Sequence, residues 1–180
     1  MQLSRTCGLN TVTAYMDNIR RASADAMRTA LSGLNSISGR CFSDSMDDGT
    51  PIRVTIDIRD GRARIDFTGT GPVSPGNLNA NPAIVRSAVM YCLRCLLHDD
   101  VPLNEGILDP VDIVIPESIL NPPVTGDPER RPAVSGGNVE TSQRVCDVIL
   151  AALGVAAGAQ GTMNNVSFGT DHFSYYETIG

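Results

Sequence analysis

The sequence predicts a mixed α and β fold (α+β), in which long buried helices pack on a mostly antiparallel sheet. Three observations support this prediction. Apolar residues recur at three- and four-residue steps through residues 10–34, which indicates a long amphipathic helix. Two alternating segments within residues 52–67 flank an Asp-Gly pair, the strongest short-range hairpin signal in the chain. Residues 82–97 and 138–153 are apolar enough to form buried helices.

The first helix and the hairpin each have one face that we expect to be solvated. Asp17 precedes Arg21 by four residues, a spacing suited to an outer helix face, and we assign that helix no chemistry. In the hairpin, apolar residues alternate with Arg and Asp, so one sheet face packs and the other is wet. Further strands are predicted over residues 40–46, 111–115 and 174–179.

Residues 68–81 have the composition of a shaped loop that leads into a helix. Its glycines match no nucleotide-binding fingerprint and no lysine follows them. The Asn-Pro step at its end is typical of a helix N-terminus and predicts a helix over residues 82–97. Cys92 and Cys95 lie inside that helix, and the sequence has no second ligand pair with zinc spacing. We interpret both as core cysteines.

Composition excludes several functions. The net charge of −6 argues against a nucleic-acid partner. All 14 basic residues are arginine, which excludes a Walker-type phosphate loop, a Schiff-base lysine and a Ser–Lys dyad. The five cysteines are irregularly spaced and no signal peptide precedes them, so a cytoplasmic location is expected. The longest apolar run, residues 148–159, is too short to cross a membrane.

The segment from residue 135 to residue 144 carries the strongest chemical signal. Two adjacent glycines precede a helix-compatible stretch, so the backbone can turn sharply and expose its N–H groups. Hydrogen-bonding side chains gather in the first helical turn, at the positive end of the helix dipole. One narrow stripe of the helical wheel holds the polar residues Glu140, Gln143, Arg144 and Asp147.

Two interpretations of this stripe remain open. It lines a polar cleft, or it is a solvated face with a Glu140–Arg144 pair worth a few tenths of a kcal/mol. A second polar group, Thr162, Asn164 and Asn165, is predicted on a turn that leads into a strand. These side chains either form another wall of the cleft or satisfy backbone groups of the turn.

Several blocks of the sequence together resemble the hydantoinase B/5-oxoprolinase family, whose superfamily also includes acetone and acetophenone carboxylase subunits. The blocks occur in the family's order and comprise residues 66–70, 76–80, 102–106, 136–144, 161–165 and 175–178.

The resemblance implies ATP-dependent opening of a cyclic amide, such as a hydantoin, 5-oxoproline or another lactam. A hydantoinase A-like partner would bind ATP and phosphorylate the amide oxygen of the small substrate, and the B part would hydrolyse the activated species. ATP and a divalent metal are implied for the full complex. This chain has no lysine and no nucleotide-binding loop, which agrees with ATP binding by the partner.

Family members are much longer than 180 residues, and their metal-linked His/Asp motifs lie upstream of the match to residues 10–34. We therefore expect residues 1–180 to be a single partial hydantoinase B-type domain that lacks the N-terminal metal-motif region and the C-terminal region. We expect this fragment to be inactive alone and to hold neither ATP nor metal completely. Its expected partners are the hydantoinase A-like subunit and the remaining segments of the hydantoinase B chain.

If the chain keeps the family's cleft, donors are needed for the oxygens of an activated, negatively charged substrate. The candidate catalytic residues are Asn138, Glu140, Gln143 and Arg144, with Glu140 orienting a water or a neighbouring donor. The candidate substrate-binding residues are Gly136, Gly137, Thr162, Asn164 and Asn165, and no metal ligand is assigned. Two alternatives remain: a carboxylase-type subunit that adds carbon dioxide to an activated ketone, and a non-catalytic assembly fragment that docks on a larger partner.

Overall fold

A computed structural model describes residues 2–34, 37–97, 100–158 and 164–179. The helices in these residues are α1 (Gln2–Cys7), α2 (Leu9–Ser32), α3 (Pro82–Arg94) and α4 (Thr141–Leu153). The strands are β1 (Arg40–Ser45), β2 (Pro51–Arg59), β3 (Arg62–Asp66), β4 (Val111–Val114), β5 (Asn164–Thr170) and β6 (Phe173–Ile179). Short 3-10 helices cover Glu105–Leu108, Pro128–Arg130 and Gly136–Asn138.

Strands β1 to β4 form one sheet in chain order. The β1–β2 and β2–β3 pairs are antiparallel, whereas β4 joins β3 in parallel. The turn between β2 and β3 has positive φ at both central residues, 52° at Asp60 and 69° at Gly61, as a type I′ hairpin turn requires. The predicted hairpin is therefore confirmed.

The sheet is apolar on one face only. Alternate residues of β2 are buried, and the residues between them are exposed or half-buried. Helices α2 and α4 both pack on the sheet, and α3 packs on α4. The opposite face is wet, and there Arg64 forms ion pairs with Asp112 at 2.7 Å and Asp66 at 3.2 Å. This two-layer arrangement confirms the α+β fold class, with β4 as the parallel exception.

The helix boundaries differ from the predictions at several points. Helix α4 begins at Thr141 rather than at residue 138, and α2 ends at Ser32 rather than at residue 34. Gly8, with φ of 82°, separates a short unpredicted α1 from α2. Helix α3 begins as expected, because the Asn81 side chain accepts a hydrogen bond from the Ile84 amide at 3.0 Å. It ends at Arg94, three residues before the predicted end, as the chain tightens into a turn.

Strands β5 and β6 form a separate antiparallel hairpin. Every residue from Asn165 to Thr178 is exposed, and neither strand packs extensively on another helix or strand of the described residues. Phe168 packs edge-on against Phe173 and at a tilt against Tyr175, within the hairpin itself. The hairpin therefore adds nothing to the buried core. Separately, none of the helices in the described ranges has the length and apolar character of a membrane span.

Candidate functional site

The turn at Gly136 and Gly137 lies directly on the loop that precedes α3. The Gly136 amide donates to the Asn77 carbonyl at 2.7 Å, and the Gly137 amide donates to the Val134 carbonyl at 3.2 Å. A Cβ on Gly137 would collide with the Asn79 carbonyl oxygen and approach the Ala80 Cα within 2.6 Å. The glycines therefore permit close backbone contact, and their amides serve the protein itself, unlike the exposed N–H groups that the sequence predicted.

Asn138, directly after this turn, is exposed and lines a pocket of about 370 Å³ between α3 and α4. The Ser142 hydroxyl donates to the Asn138 carbonyl at 2.8 Å and so fixes the backbone at the pocket edge. Polar and apolar groups share the lining, which comprises Asn81, Ala83, Ile84, Ser87, Ala88, Asn138, Ser142 and Cys146. Asn138 is the one predicted catalytic residue that reaches this pocket among the described residues.

Helices α3 and α4 run roughly parallel along the pocket. Near their N-termini, the Thr141 hydroxyl donates to the Leu78 carbonyl. Farther along both helices, the Cys92 thiol donates to the Cys146 carbonyl at 3.8 Å. The amino ends of both helices therefore lie at the same end of the pocket, where the helix dipoles favour negative charge.

The polar stripe of α4 points away from this pocket. Arg144 is largely buried and forms ion pairs with Asp44 of β1 at 2.7 Å and with Asp147 at 3.5 Å. Gln143 donates through its side-chain nitrogen to the Val139 carbonyl at 2.7 Å. Because Arg144 is tied to β1, the stripe lies at the helix–sheet boundary.

Glu140 is half-buried at the N-cap position of α4. Its amide donates to the Gly136 carbonyl at 2.8 Å, and its carbonyl accepts from the Arg144 amide at 3.3 Å. The backbone of Glu140 therefore links the glycine turn to the helix. The ion pairs of Arg144 with Asp44 and Asp147 place its guanidinium at the boundary between α4 and β1.

Two members of the second predicted polar group, Asn164 and Asn165, belong to strand β5. Asn165 is exposed, and its side-chain oxygen accepts hydrogen bonds from Tyr176 and Thr178 of the neighbouring strand, both at 2.9 Å. Asn164 pairs with Ile179 through the backbone register of the hairpin. Thr162 lies outside the described residues.

Two buried residues that support the site were not singled out from the sequence. The Asn79 side chain is fully buried and donates to the Ser74, Gly76 and Ala133 carbonyls at 2.9, 3.2 and 3.0 Å. Thr141 is also fully buried and bonds to the same loop. Both residues stand among other polar residues in the sequence, so no local pattern distinguishes them. The contacts Asn79–Ala133 and Thr141–Leu78 join segments that are far apart in the chain.

Cys146 is the thiol of the pocket. It is half-buried, whereas Cys92 behind it is fully buried. A hydrogen bond from Cys92 lowers the pKa of Cys146, against the opposing effect of burial. The same hydrogen bond, reinforced by burial, raises the pKa of Cys92. Cys92 thus remains a thiol, and Cys146 is the more readily ionised partner.

The described residues do not offer a metal site. Within them, no group of three or more His, Cys, Asp or Glu side chains is placed to hold an ion. The divalent metal implied by the family resemblance therefore does not fit this part of the chain.

The chain is similar in sequence to much longer proteins named 5-oxoprolinase. The chain is 46% identical over 195 residues to 5-oxoprolinase 1 of Arabidopsis thaliana. This match covers 99% of this chain and 15% of that protein. The chain is 40% identical over 197 residues to 5-oxoprolinase of Saccharomyces cerevisiae, covering 98% of this chain and 15% of that protein. The chain thus spans about 15% of the length of these relatives.

The fold also resembles a solved structure. An ATP-dependent caprolactamase from Pseudomonas jessenii superposes on 92% of this chain and 28% of its own, with a TM-score of 0.65 and 19% sequence identity. At that identity the similarity concerns the fold. The Hydantoinase B/oxoprolinase family matches the sequence over residues 1–180. The chain therefore belongs to the Hydantoinase B/oxoprolinase family.

Proposed function

We propose that the protein is part of the B component of an ATP-dependent cyclic amide hydrolase. In this proposal, a hydantoinase A-like partner activates the small substrate with ATP, and the B component hydrolyses the activated ring. Family membership over the whole chain supports the reaction class. The relatives named 5-oxoprolinase, at 40–46% identity, favour 5-oxoproline over a hydantoin as the substrate.

The observation that carries the proposal is the placement of Asn138. Asn138 lines the pocket together with Asn81 and Ser142, which lie at the amino ends of α3 and α4. Phosphoryl transfer to an amide oxygen makes the substrate more negative, so neutral donors and helix N-termini would stabilise it there. Asn138 would contact the substrate oxygens, and Gly136 and Gly137 would hold Asn138 in place through their contacts with the α3 loop.

The other candidate residues would serve the same site from the sheet side. Arg144 fastens α4 to β1 through Asp44, and Gln143 braces the first helical turn through Val139. We propose that both position Asn138, and that Glu140 orients a water or a neighbouring donor at the turn. Residues Thr162, Asn164 and Asn165 would complete the wall when the rest of the protein is present.

We further propose that residues 1–180 form one partial domain of the hydantoinase B type. ATP and metal sites would then lie in other segments and in the partner, since this chain lacks lysine and the described residues lack a metal-ligand group. The cytoplasm is the proposed location. The isolated 180 residues would be inactive because the site is completed elsewhere.

The test is ATP-dependent hydrolysis of 5-oxoproline by the whole protein with its partner. We expect Asn138→Ala to lower kcat by about 10- to 100-fold, as for loss of a donor to a developing oxyanion. Thermal unfolding should be unchanged, because Asn138 is exposed. Asn18→Ala, an exposed asparagine on α2, is the matched control and should leave kcat at the wild-type value.

Three results would contradict the proposal. Full turnover in Asn138→Ala would remove this residue from the reaction. Hydrolysis by the purified 180-residue chain alone would overturn the partial-domain assignment. Carboxylation of a ketone without lactam hydrolysis would transfer the protein to the carboxylase branch of the family.

A second role for this segment is assembly, and exposed apolar side chains favour it. On α2, Leu9, Tyr15 and Met16 are 67%, 67% and 65% exposed. Phe168 and Phe173 of the outer hairpin are 56% and 55% exposed. Patches of this kind commonly mark surfaces that other protein segments cover. Strong binding of a hydrophobic dye by the 180-residue chain, lost when the remaining protein is present, would support this role.

A further inference from the structure

The Cys92–Cys146 pair links the two helices that border the pocket. Cys92 is 0% exposed within α3, and its thiol donates to the Cys146 carbonyl oxygen at 3.8 Å. Cys146 stands on α4 and forms part of the pocket wall beside Asn138 and Ser142. The Cys146 thiol can therefore be reached from the pocket, and the buried Cys92 thiol lies next to Cys146 on the neighbouring helix.

This arrangement matches the physical requirements of a two-cysteine oxidation site. A sensor thiol must be accessible and easily ionised, and a second thiol must lie close enough to resolve the oxidised product. The pocket of about 370 Å³ gives a small oxidant access to Cys146. The hydrogen bond from Cys92 lowers the pKa of Cys146, which favours the nucleophilic thiolate.

We propose that Cys146 and Cys92 form a reversible oxidation site, in which a small hydroperoxide oxidises Cys146 through the pocket and Cys92 resolves it as a disulfide. In the first step, the Cys146 thiolate attacks a peroxide oxygen, and the O–O bond breaks. Cys146 becomes a sulfenic acid, and the leaving hydroxide or alkoxide takes up from solvent the proton that the Cys146 thiol lost on ionisation, which gives water or an alcohol. In the second step, Cys92 attacks the Cys146 sulfur, the S–O bond breaks, and the hydroxide leaves as water with the Cys92 proton.

Cys95 is the competing partner for Cys92, and helix geometry disfavours it. Residues three apart on a helix have Cβ atoms about 5–6 Å apart, whereas a disulfide needs about 3.5–4.5 Å. Cys95 is also exposed at the end of α3, so it is not the core cysteine that the sequence predicted, and its side chain neighbours Tyr91. In an unfolded chain the Cys92–Cys95 disulfide would be favoured over the Cys92–Cys146 disulfide, because closing the shorter loop costs less entropy. A Cys92–Cys146 disulfide would therefore show that α3 and α4 were in their native contact when the disulfide formed.

The test maps disulfides in the purified, reduced protein after a short treatment with hydrogen peroxide. Remaining thiols are blocked with N-ethylmaleimide, and peptides are identified by mass spectrometry without reduction. We expect a linked Cys92–Cys146 peptide that disappears on treatment with dithiothreitol and is absent from Cys146→Ser. In Cys92→Ser, Cys146 should instead be trapped as a sulfenic acid by dimedone. The exposed Cys7 and Cys41 serve as internal controls and should remain alkylated thiols.

Two outcomes would overturn the proposal for protein whose circular dichroism shows it to be folded. One is a dominant Cys92–Cys95 disulfide, and the other is oxidation confined to Cys7 and Cys41 while Cys146 stays reduced. Since Cys92 is buried, Cys92→Ala provides a second variant that places no hydroxyl in the core. The disulfide map of the wild-type protein decides between these outcomes even if neither Cys92 variant folds.

Discussion

Gly137 determines the shape of the site although it has no side chain. It is buried against the Asn79 and Ala80 backbone, and the neighbouring Gly136 amide bonds to Asn77. This contact brings the turn before α4 onto the loop before α3, and thereby places Asn138 at the pocket. A residue with a Cβ would separate these two backbone segments.

We expect Gly137→Ala to destabilise the protein by about 1–3 kcal/mol, because rigid backbone atoms would oppose the new methyl group. Gly126→Ala is the matched control, since no atom lies within 4 Å of a Cβ at that position. That control should change the free energy of unfolding by less than about 0.5 kcal/mol. Urea unfolding of both variants measures the difference. Equal stability of the two would show that the close contact is absent.

The sequence predicted the position of this turn but not its purpose. Two adjacent glycines before a helix indicate a sharp turn, and the turn is present. Whether a glycine exposes its N–H group or admits another backbone depends on residues distant in the chain. The contact with Asn79 and Ala80 exists only after folding, and local sequence contains no trace of it.

At the scale of elements, α2 has two different halves. Its second half is anchored, with Met27 and Leu31 fully buried against the sheet. Its first half extends from this contact, and Leu9 and Met16 are 67% and 65% exposed. Periodic apolar residues predicted one continuous stripe, and the helix is indeed continuous. Periodicity shows which face is apolar but not what covers it.

Paired methionine substitutions on α2 should separate these halves. Met27→Ala removes a fully buried side chain and should cost about 2–5 kcal/mol of stability. Met16→Ala, on the same helix but mostly exposed, should cost less than about 0.5 kcal/mol. Chemical denaturation of the 180-residue chain measures both. A large loss in Met16→Ala would mean that the first half of α2 is already covered in the isolated chain.

The α4 stripe shows a similar limit of sequence analysis. Its four polar residues lie near one another on the helical wheel, as predicted, but Arg144 turns the stripe toward Asp44 of β1. The pocket faces Ser142 and Cys146 on another side of the same helix. A wheel gives the relative positions of side chains, whereas the direction of each face is set by tertiary packing.

The whole molecule divides into a packed body and an outlying hairpin. The four-stranded sheet and the helices share one buried apolar cluster. Strands β5 and β6 are exposed along both faces and contribute no residue to that cluster. An isolated two-stranded hairpin is only marginally stable in water.

Hydrogen exchange should reveal this division. We expect backbone amides of β5 and β6 to exchange at least about 100-fold faster than those of β2, since opening the hairpin exposes little apolar surface. Mass spectrometry of the deuterated 180-residue chain provides the measurement, and β2 is the internal reference. Equal protection in the two regions would show that the hairpin belongs to the main cooperative unit.

The fold class, the β2–β3 hairpin and the N-cap of α3 could be predicted from sequence because each depends on local residue patterns. The parallel β3–β4 pair could not, since it depends on which distant strands meet. Asn138 was identified through its position after the glycines, but its pocket is formed jointly with α3. Both the β3–β4 pair and the pocket depend on tertiary contacts between distant segments, which local sequence patterns do not specify.

The parallel β3–β4 pair has a consequence for the order of folding. The chain leaves β3 at Asp66 and returns as β4 only at Val111, with α3 in the intervening segment. The β1–β3 meander can form from neighbouring residues, but the fourth strand requires this long connection to close first, and such non-local pairings are slow. During synthesis, the meander would therefore emerge early with an open edge, and α2 alone would cover its apolar face until α4 follows. Nascent chains halted before α4 would be the species that chaperones recognise.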